Sequence, residues 1–374
     1  MGYPVKYVLA SVFLLTLSLC AQDAYMDNHS CAECHDTIYE EFQSSMHAKG
    51  YFSDELHRKV ADAVSTEKYD CAVCHMPMAD NLADLVSGKA RPNKANKTHT
   101  DAISCYFCHT IAYVKKAHRF NLNIKAKQAA HYKPTLYGRL DKPDPNDKHS
   151  SVRSPIYAKK VCVGCHSHKL NENNVTIFNA MGGKLDSQGC IKCHMPELAG
   201  GSDKINKRAR AHHASHKFLG IHDVAFRQKG VEIQITAKGE SLEVVLTNKM
   251  EHPLIIQSAR AKYLKIVVHR GGKSIWKNYQ KHPEEDRQGY FAASFKKHGK
   301  QIIIPATATS GSVHNLDAKE TQILHYTIPP LKSGDEITVG LYMRLAKRSC
   351  ANAVILDAPS LMKETCIKEV NLRY

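Results

Sequence analysis

The sequence is poor in long hydrophobic runs, in tryptophan and in acidic residues. After residue 20, no segment contains the roughly 18 consecutive apolar residues that a membrane-spanning helix requires. Trp276 is the single tryptophan among 374 residues, and 36 Asp and Glu residues stand against 52 Lys and Arg residues, a formal charge of +16. The lack of long apolar segments argues against a protein that is embedded in the membrane. The positive charge leaves nucleic acid, anionic membranes and acidic partners to be considered.

The first 20 residues have the pattern of an export signal. Lys6 provides a positive charge, and an apolar run follows it over residues 7–19. A run of this length fits the hydrophobic part of a signal peptide better than a membrane span. We therefore expect residues 1–20 to be a signal peptide, cleaved before Ala21, and the mature chain to be periplasmic and to bind no nucleic acid. A lipid anchor on Cys20 is the less favoured alternative, because a bulky leucine precedes that cysteine.

Cysteine and histidine, in contrast, are abundant, with 13 and 23 residues. Ten of the cysteines fall in five copies of the pattern Cys-x-x-Cys-His. The copies, called motifs 1 to 5 below, are Cys31–His35, Cys71–His75, Cys105–His109, Cys162–His166 and Cys190–His194. This spacing is the attachment signature of a c-type haem.

The chemistry of attachment explains the spacing. Two thiols three positions apart lie on one helical turn and can each bond to a vinyl group of one porphyrin, while the adjacent histidine becomes the proximal iron ligand. Structural zinc, disulfides and thioredoxin-like thiol pairs are the alternatives, but none requires a histidine after every pair. The sequence therefore predicts five covalently bound haem c groups, whose propionates offset part of the positive charge. The attachment cysteines are Cys31, Cys34, Cys71, Cys74, Cys105, Cys108, Cys162, Cys165, Cys190 and Cys193; the proximal ligands are His35, His75, His109, His166 and His194.

The second axial ligand of each iron decides what the haem can do. A second histidine gives an electron-transfer haem, whereas an open position lets the iron bind a substrate. The candidates for this distal position are His47, His99, His149, His213 and His216. A helix that ran on from motif 1 would place His47 about 18 Å along its axis from His35, so we expect His47 to serve a different haem.

Residues 21–222 carry all five motifs but few large apolar runs. Such a segment cannot bury five porphyrins separately, so the porphyrins themselves must form much of its core. We therefore expect the haems to contact one another, which allows fast electron transfer between them.

The motif region resembles the multihaem cytochromes c of the c-552 and c-554 type, which are related to hydroxylamine oxidoreductase and pentahaem nitrite reductase. The resemblance extends over residues 28–222 and rests on three stretches. They are Cys31–His35 with Tyr39 and Ser45-Met46-His47-Ala48; Ile103-Ser104 before Cys105–His109; and Cys193-His194-Met195-Pro196 with residues 212–220. It implies mostly helical connections, stacked haem pairs and a distal role for His47.

Two catalytic signatures of these relatives are missing. Pentahaem nitrite reductases have a lysine in place of the histidine at the catalytic haem, whereas all five motifs here end in histidine. Hydroxylamine oxidoreductases carry more haems. The absence of both signatures therefore favours an electron carrier over an enzyme.

The pattern changes after about residue 222. Residues 231–236 and 241–246 alternate between apolar and polar side chains, and further strand-like runs follow, separated by glycine and proline turns. Short strands at this spacing are typical of a β-sandwich. We interpret His252, His269 and His325 as structural. Cys350 and Cys366 are expected to form a disulfide, with two free thiols as the alternative.

These patterns together predict an α+β multidomain protein. We expect a signal peptide at 1–20, a mostly helical or irregular pentahaem cytochrome c domain at 21–222, and an immunoglobulin-like β-sandwich at 223–374. The expected function is electron transfer between a quinol-linked membrane donor, such as a quinol dehydrogenase, and a periplasmic acceptor. One alternative is a reductase or oxidase of a small nitrogen or sulfur compound at one open haem; another is a storage or metal-reducing cytochrome.

Overall fold

A computed structural model describes residues 25–129, 132–181, 189–203 and 210–374. The expected signal peptide and Cys20 lie outside these residues. Within the described ranges, none of the helices combines the length and the apolar character needed to cross a bilayer.

The N-terminal region, residues 25–228, is built from short helices. Several begin at a side-chain cap, in which a carboxylate, amide or hydroxyl oxygen accepts a backbone N–H of the first turn: Asp27, Asp54, Asn96, Ser104 and Asp223. The α-helices are α1 Asn28–Ala32, α2 Asp36–Ser44, α3 Gly50–Ser53, α4 Glu55–Val64, α5 Ala72–His75, α6 Leu82–Ser87, α7 Lys97–Thr100, α8 Cys105–Thr110, α9 Ile156–Lys159, α10 Cys190–His194 and α11 Val224–Gln228. Two 3₁₀ turns, Met46–Ala48 and Val161–Gly164, lie among them.

Four small two-stranded sheets connect these helices. Three are antiparallel, and the pair of β3 and β4 is parallel. The strands are β1 Ile111–Lys115, β2 Leu122–Lys125, β3 Thr135–Gly138, β4 Ser150–Arg153, β5 His168–Leu170, β6 Thr176–Asn179, β7 Glu197–Ala199 and β8 His212–Ala214. The region therefore contains more strand than the mostly helical expectation, but each strand is short.

The C-terminal region, residues 231–374, forms two antiparallel sheets. One has the strand order β16-β10-β9; the other has the order β14-β13-β11-β17-β18, with β12 on β11 and β15 on β13. The strands are β9 Val231–Lys238, β10 Ser241–Asn248, β11 Ala261–Arg270, β12 Lys273–Lys277, β13 Tyr290–Lys297, β14 Lys300–Ile302, β15 Ser310–His314, β16 Thr321–Thr327, β17 Glu336–Arg344 and β18 Thr365–Arg373. Helices α12 Arg348–Val354 and α13 Pro359–Met362 and the 3₁₀ turns Pro283–Glu285 and Pro305–Thr307 complete it.

The two sheets enclose one apolar core. Alternation along β10 buries Leu242, Val244 and Leu246, as a strand with one face inward requires. These side chains belong to the same cluster as Leu264 and Leu341 of the other sheet. The fold is thus the predicted α+β type with a sheet-rich C-terminal part. The boundary at residue 223 and the immunoglobulin-like assignment stay predictions.

The two regions share apolar clusters and are not joined only by a linker. Leu56 of α4 packs with Ala346, Cys350 and Val354 near α12.

The expected disulfide is wrong, because Cys350 and Cys366 are both free thiols. Cys350 is buried in this cluster, whereas Cys366 lies in β18 opposite Tyr342.

Truncation of Leu341 tests the shared core of the sheets. Leu341 is fully buried and pairs with Leu264 across β11 and β17. We expect Leu341→Ala to lower the free energy of unfolding of this region by about 2–5 kcal/mol, through lost burial and a residual cavity. Urea unfolding followed by far-ultraviolet circular dichroism measures the change. Ile323→Ala, at an exposed position on β16, is the control and should change it by no more than about 0.5 kcal/mol. Equal effects would contradict the packing described.

Candidate functional site

Each Cys-x-x-Cys-His motif lies on a helical turn. In motifs 1, 2 and 4 the histidine N–H donates to the carbonyl of the first cysteine, at 3.0, 2.9 and 2.9 Å. This bond spans four residues, so the first cysteine, the second cysteine and the histidine occupy one face of the turn. The local structure thus presents two thiols and an imidazole to the same side, as attachment of one planar cofactor requires.

Every motif histidine faces a second histidine from elsewhere in the chain. The ring centres lie 6.3 Å apart for His35 and His149, 4.9 Å for His75 and His57, 6.3 Å for His109 and His216, 5.9 Å for His166 and His47, and 6.4 Å for His194 and His252. We call these histidine pairs 1 to 5, after the motifs. In pairs 3 and 5 the two rings are nearly parallel, with interplanar angles of 24° and 23°.

These separations match two imidazoles that bind one metal from opposite sides. A metal–imidazole bond is about 2.05 Å long and the ring centre lies about 1.15 Å beyond the nitrogen, so the ring centres should be about 6.4 Å apart. Pairs 1, 3, 4 and 5 have this spacing. Pair 2 is about 1.5 Å closer and would have to open by that amount to hold a metal. Two imidazoles fill two of six positions on an iron, and a porphyrin supplies the other four.

No part of the described chain brings three or more His, Cys, Asp or Glu side chains together in a way that would hold a bare metal ion. The histidine pairs differ from such a cluster, since each has two nitrogen ligands with two thiols beside one of them. This donor set fits a haem that is attached through its vinyl groups and ligated on both faces.

Burial keeps several of these imidazoles neutral. Loss of solvent lowers the pKa of His47 and of His75 to about 3, and the pKa of His216 to about 4. Burial also lowers the pKa of His109, His166, His149 and His252. Neutral imidazole is the form that binds a metal, so these rings are ready to ligate at neutral pH.

Hydrogen bonds fix the orientation of most of the paired rings through Nδ1. The acceptors are Tyr137 O for His109, Ala214 O for His216, Pro253 O for His252, Leu219 O for His194 and Asp54 Oδ2 for His57, and Ser151 Oγ is bonded to His149. Such a bond leaves Nε2 available for iron and raises the basicity of the ligand. The Nδ1 atom of His47 is buried and has no partner among the described atoms.

The attachment cysteines of different motifs contact one another. The side chains of Cys31 and Cys105, of Cys74 and Cys165, and of Cys162 and Cys190 lie close enough to shift one another's pKa. Motif 1 therefore adjoins motif 3, motif 2 adjoins motif 4, and motif 4 adjoins motif 5. The attachment positions of different motifs are thus neighbours, whereas contact between the cofactors themselves stays a prediction.

Phe218 connects histidine pairs 3 and 4. Its ring centre lies 4.2 Å from that of His47 and 5.9 Å from that of His216. Its backbone has a φ of 47°, which is uncommon for a residue with a bulky side chain. The surrounding contacts hold this conformation, so the aromatic ring occupies a defined position between the two pairs.

Two buried cations lie where the sheets meet this site. Burial lowers the pKa of Arg260 to about 10, and burial together with Arg260 lowers the pKa of Lys262 to about 7. Lys262 Nζ donates to Leu254 O at 2.6 Å, and Arg260 Nε is buried without a hydrogen-bond partner in the described chain. A buried cation is costly without an anion beside it. The carboxylate of Asp54 partly offsets the charge of Arg260, and haem propionates would be further suitable anions beside the two cations.

Three of the five expected distal histidines lie in the pairs, and two do not. His47, His149 and His216 face motifs 4, 1 and 3. His99 is buried with Nδ1 accepting from Asn93 N at 3.0 Å and Nε2 bonded to Asn81 Oδ1 at 2.8 Å. Neither nitrogen is available to a metal in this arrangement.

His213 also has both nitrogens engaged. Nδ1 donates to Gly200 O at 3.0 Å, and Nε2 lies 3.3 Å from Glu41 Oε1. The other oxygen of Glu41 accepts the backbone N–H of His216 at 2.8 Å. His213 thus supports the segment that carries the paired His216 and does not itself face a motif histidine.

His57 and His252 face the two remaining motif histidines, His75 and His194, and sequence reasoning missed both. His57 precedes its own motif, and His252 lies in the loop between β10 and β11. Neither has a fixed spacing to the motif it faces, so only the tertiary structure reveals them. The sequence analysis interpreted His252 as structural, whereas the structure places its ring opposite that of His194.

Comparisons with known proteins give one family match and one shared fold. Residues 30–110 match the family model described as cytochrome c554 and c-prime. The fold resembles the crystal structure of a penta-haem cytochrome c552 from Thermochromatium tepidum, with 23% identity, a TM-score of 0.75, and coverage of 93% of this chain and 99% of that one. A superoxide reductase structure is matched at 14% identity over 38% of this chain and 86% of that one, with a TM-score of 0.19, too low to indicate a shared fold. The comparison with curated proteins gives no significant match.

The family match and the shared fold agree with the five motifs in indicating covalently bound haem c and a haem-based redox role. The match covers the first three motifs, and the shared fold extends over nearly the whole chain. Residues 30–110 are thus similar to the cytochrome c554 and c-prime family, and the chain as a whole shares the fold of a penta-haem cytochrome c552.

Proposed function

We propose that this protein is a periplasmic electron carrier that holds five haems, each ligated by two histidines. It passes single electrons between a quinol-linked donor in the membrane and a periplasmic acceptor protein. The observation that carries the proposal is the set of five histidine pairs, one at each motif. A second histidine opposite every motif histidine occupies the position that a substrate would need, which favours a carrier over a reductase or oxidase.

Two sets of residues have separate roles in holding the cofactors. The ten motif cysteines anchor the cofactors, and the ten paired histidines hold the axial positions. A haem bound in this way takes up and releases one electron at its iron. The hydrogen bonds to Nδ1 and the burial of the rings keep the ligands in place in both oxidation states, so little rearrangement accompanies each transfer.

The contacts between motifs support rapid transfer inside the molecule. The three thiol–thiol contacts connect motif 1 with motif 3, and motif 4 with both motif 2 and motif 5. Phe218 connects pairs 3 and 4. The five motifs thus form one continuous network, which an electron can enter at one end and leave at another.

The charge of the chain suits acidic redox partners. The formal charge is +16, and a basic surface accelerates association with an oppositely charged partner. Such encounters are expected to weaken at higher ionic strength. The donor and the acceptor are proposed only by class.

The C-terminal sheet region, in this proposal, is part of the haem site. It supplies His252 opposite His194 and places the buried cation Lys262 near it. Asn248 fixes the loop, because its side-chain amide donates to His252 O at 2.9 Å and to Asp317 O at 2.8 Å. The sheet region therefore supplies one distal ligand, in addition to any role that it has in binding a partner.

The cofactor content and the spin state test the main proposal. The purified protein should carry five haems by mass and by the pyridine-haemochrome assay. Its oxidised form should give only low-spin signals in electron paramagnetic resonance, because two histidines give a strong ligand field. A stoichiometric high-spin signal that changes on addition of nitrite or hydroxylamine would instead support the enzyme alternative.

His47 and His99 offer a matched test of the distal assignment, because both are buried histidines of the N-terminal region. His47→Ala should convert one of the five low-spin haems to high spin, since it removes the ligand opposite His166. His99→Ala should leave all five low-spin, since His99 bonds only to asparagine groups in the described structure. Both variants should retain five covalent haems. The reverse result would refute the assignment.

His252 tests the role of the sheets in haem ligation. We expect His252→Ala to give one high-spin haem while all five remain attached, because Cys190 and Cys193 still anchor it. His325→Ala, at an exposed position on β16, is the control and should leave the spectrum unchanged. Electron paramagnetic resonance with haem quantification measures both. An unaltered low-spin spectrum in His252→Ala would show that the sheets do not supply this ligand.

A further inference from the structure

The five histidine pairs differ in what their Nδ1 atoms contact. In pairs 3 and 5 the contacts are backbone carbonyls, and in pair 1 His149 is bonded to a hydroxyl. His35 of pair 1 has a carboxylate oxygen of Asp203 at 3.7 Å, beyond hydrogen-bond distance. In pair 2, by contrast, His57 Nδ1 is hydrogen-bonded to a carboxylate, Asp54 Oδ2.

The contact between Asp54 and His57 is built into the start of a helix. Asp54 is the N-cap of α4, and its Oδ1 accepts the backbone N–H of His57 at 3.3 Å while Oδ2 accepts from the ring. The Asp54 side chain is only 14% exposed. In the first turn of the same helix, directly before His57, Leu56 packs into the cluster with Ala346 and Cys350. The carboxylate and the imidazole are therefore held together by the cap and by tertiary packing.

A carboxylate on Nδ1 changes the iron ligand that it orients. The ring becomes a stronger electron donor, because the proton is shared with an anion. A stronger donor stabilises ferric iron more than ferrous iron, and hydrogen bonding outside the ligand shell is one of the means by which a protein sets the potential of a haem. Neutral carbonyl acceptors have the same effect to a smaller degree.

We propose that Asp54 is a positioning residue that gives the haem of motif 2 the lowest reduction potential of the five. This inference rests on the proposed ligation of that haem by His75 and His57. The neighbouring motif 4 lies at the opposite extreme, because the buried Nδ1 of His47 has no hydrogen-bond partner among the described atoms. Cys74 and Cys165 are in contact, so the two haems are neighbours with different potentials. An electron on the haem of motif 2 therefore moves readily to that of motif 4.

Asp54→Asn is the test, on the full-length protein with all five haems. The amide has nearly the shape of the carboxylate but no charge, so the ring loses its anionic partner. A redox titration followed by electron paramagnetic resonance resolves the one-electron ferric–ferrous couples. We expect the lowest of the five couples to rise by at least 59 mV, a tenfold change in its equilibrium constant. The other four should move much less.

Asp70→Asn is the matched control. Asp70 directly precedes Cys71 of the same motif, and its carboxylate pairs with Lys68 at 3.4 Å while remaining 55% exposed. This variant removes the same charge near the same haem, from a carboxylate that is not bonded to a histidine ring. The excess of the Asp54→Asn shift over the Asp70→Asn shift measures the effect of having the negative charge directly on the ring.

The outcomes separate this inference from the proposed function. A high-spin haem in the unmodified protein would refute the ligation itself. Five low-spin haems in the unmodified protein, with equal shifts in the two variants or a shift spread over all couples, would refute the role of Asp54 alone. A high-spin signal in Asp54→Asn would also refute it, because the carboxylate would then hold the ring in place without setting the potential.

Discussion

The pairing of each motif histidine with a second histidine is the constraint on which the rest of the structure depends. Two imidazoles must lie about 6.4 Å apart, centre to centre, to ligate one metal from both sides. The second histidine comes from a distant turn, loop or helix, so each pair connects parts of the chain that are far apart in sequence. Short helices and two-stranded sheets suffice for the connections, because the ligands and the cofactors provide the organisation that a large apolar core provides elsewhere.

The second level of organisation is the set of groups behind the histidines. Glu41 is a clear example, because it receives His213 Nε2 on one oxygen and the His216 N–H on the other. One buried carboxylate thus orients the strand end that carries a paired histidine. Backbone carbonyls orient the rings of pairs 3 and 5. The geometry of the site depends on these neighbours as much as on the ligands themselves.

The sequence predicted the part of the site that is local and missed the part that is not. The motifs are contiguous, so their cysteines and histidines could be found by spacing alone. His47, His149 and His216 were expected and lie opposite motif histidines, but His99 and His213 were expected on the same grounds and have other partners. A histidine near a motif does not differ in sequence from one that bonds to asparagine or glutamate. His57 and His252 were missed because tertiary packing alone brings them to their motifs. The alternating strands of the C-terminal region were predictable, because burial of one face requires that pattern, whereas the contact of α4 with α12 was not.

The place of His252 in the chain has a consequence for the order in which the protein matures. A chain made from its N-terminus has the histidines of pairs 1 to 4 available once residue 216 has emerged. His194 acquires its partner only after β9, β10 and the loop between β10 and β11 have been made. The helix that carries His57 finds its packing partner later still, when Cys350 and Val354 are present. The interior of the haem network can thus close early, whereas the sites of motifs 2 and 5 are completed only when the last third of the chain has folded.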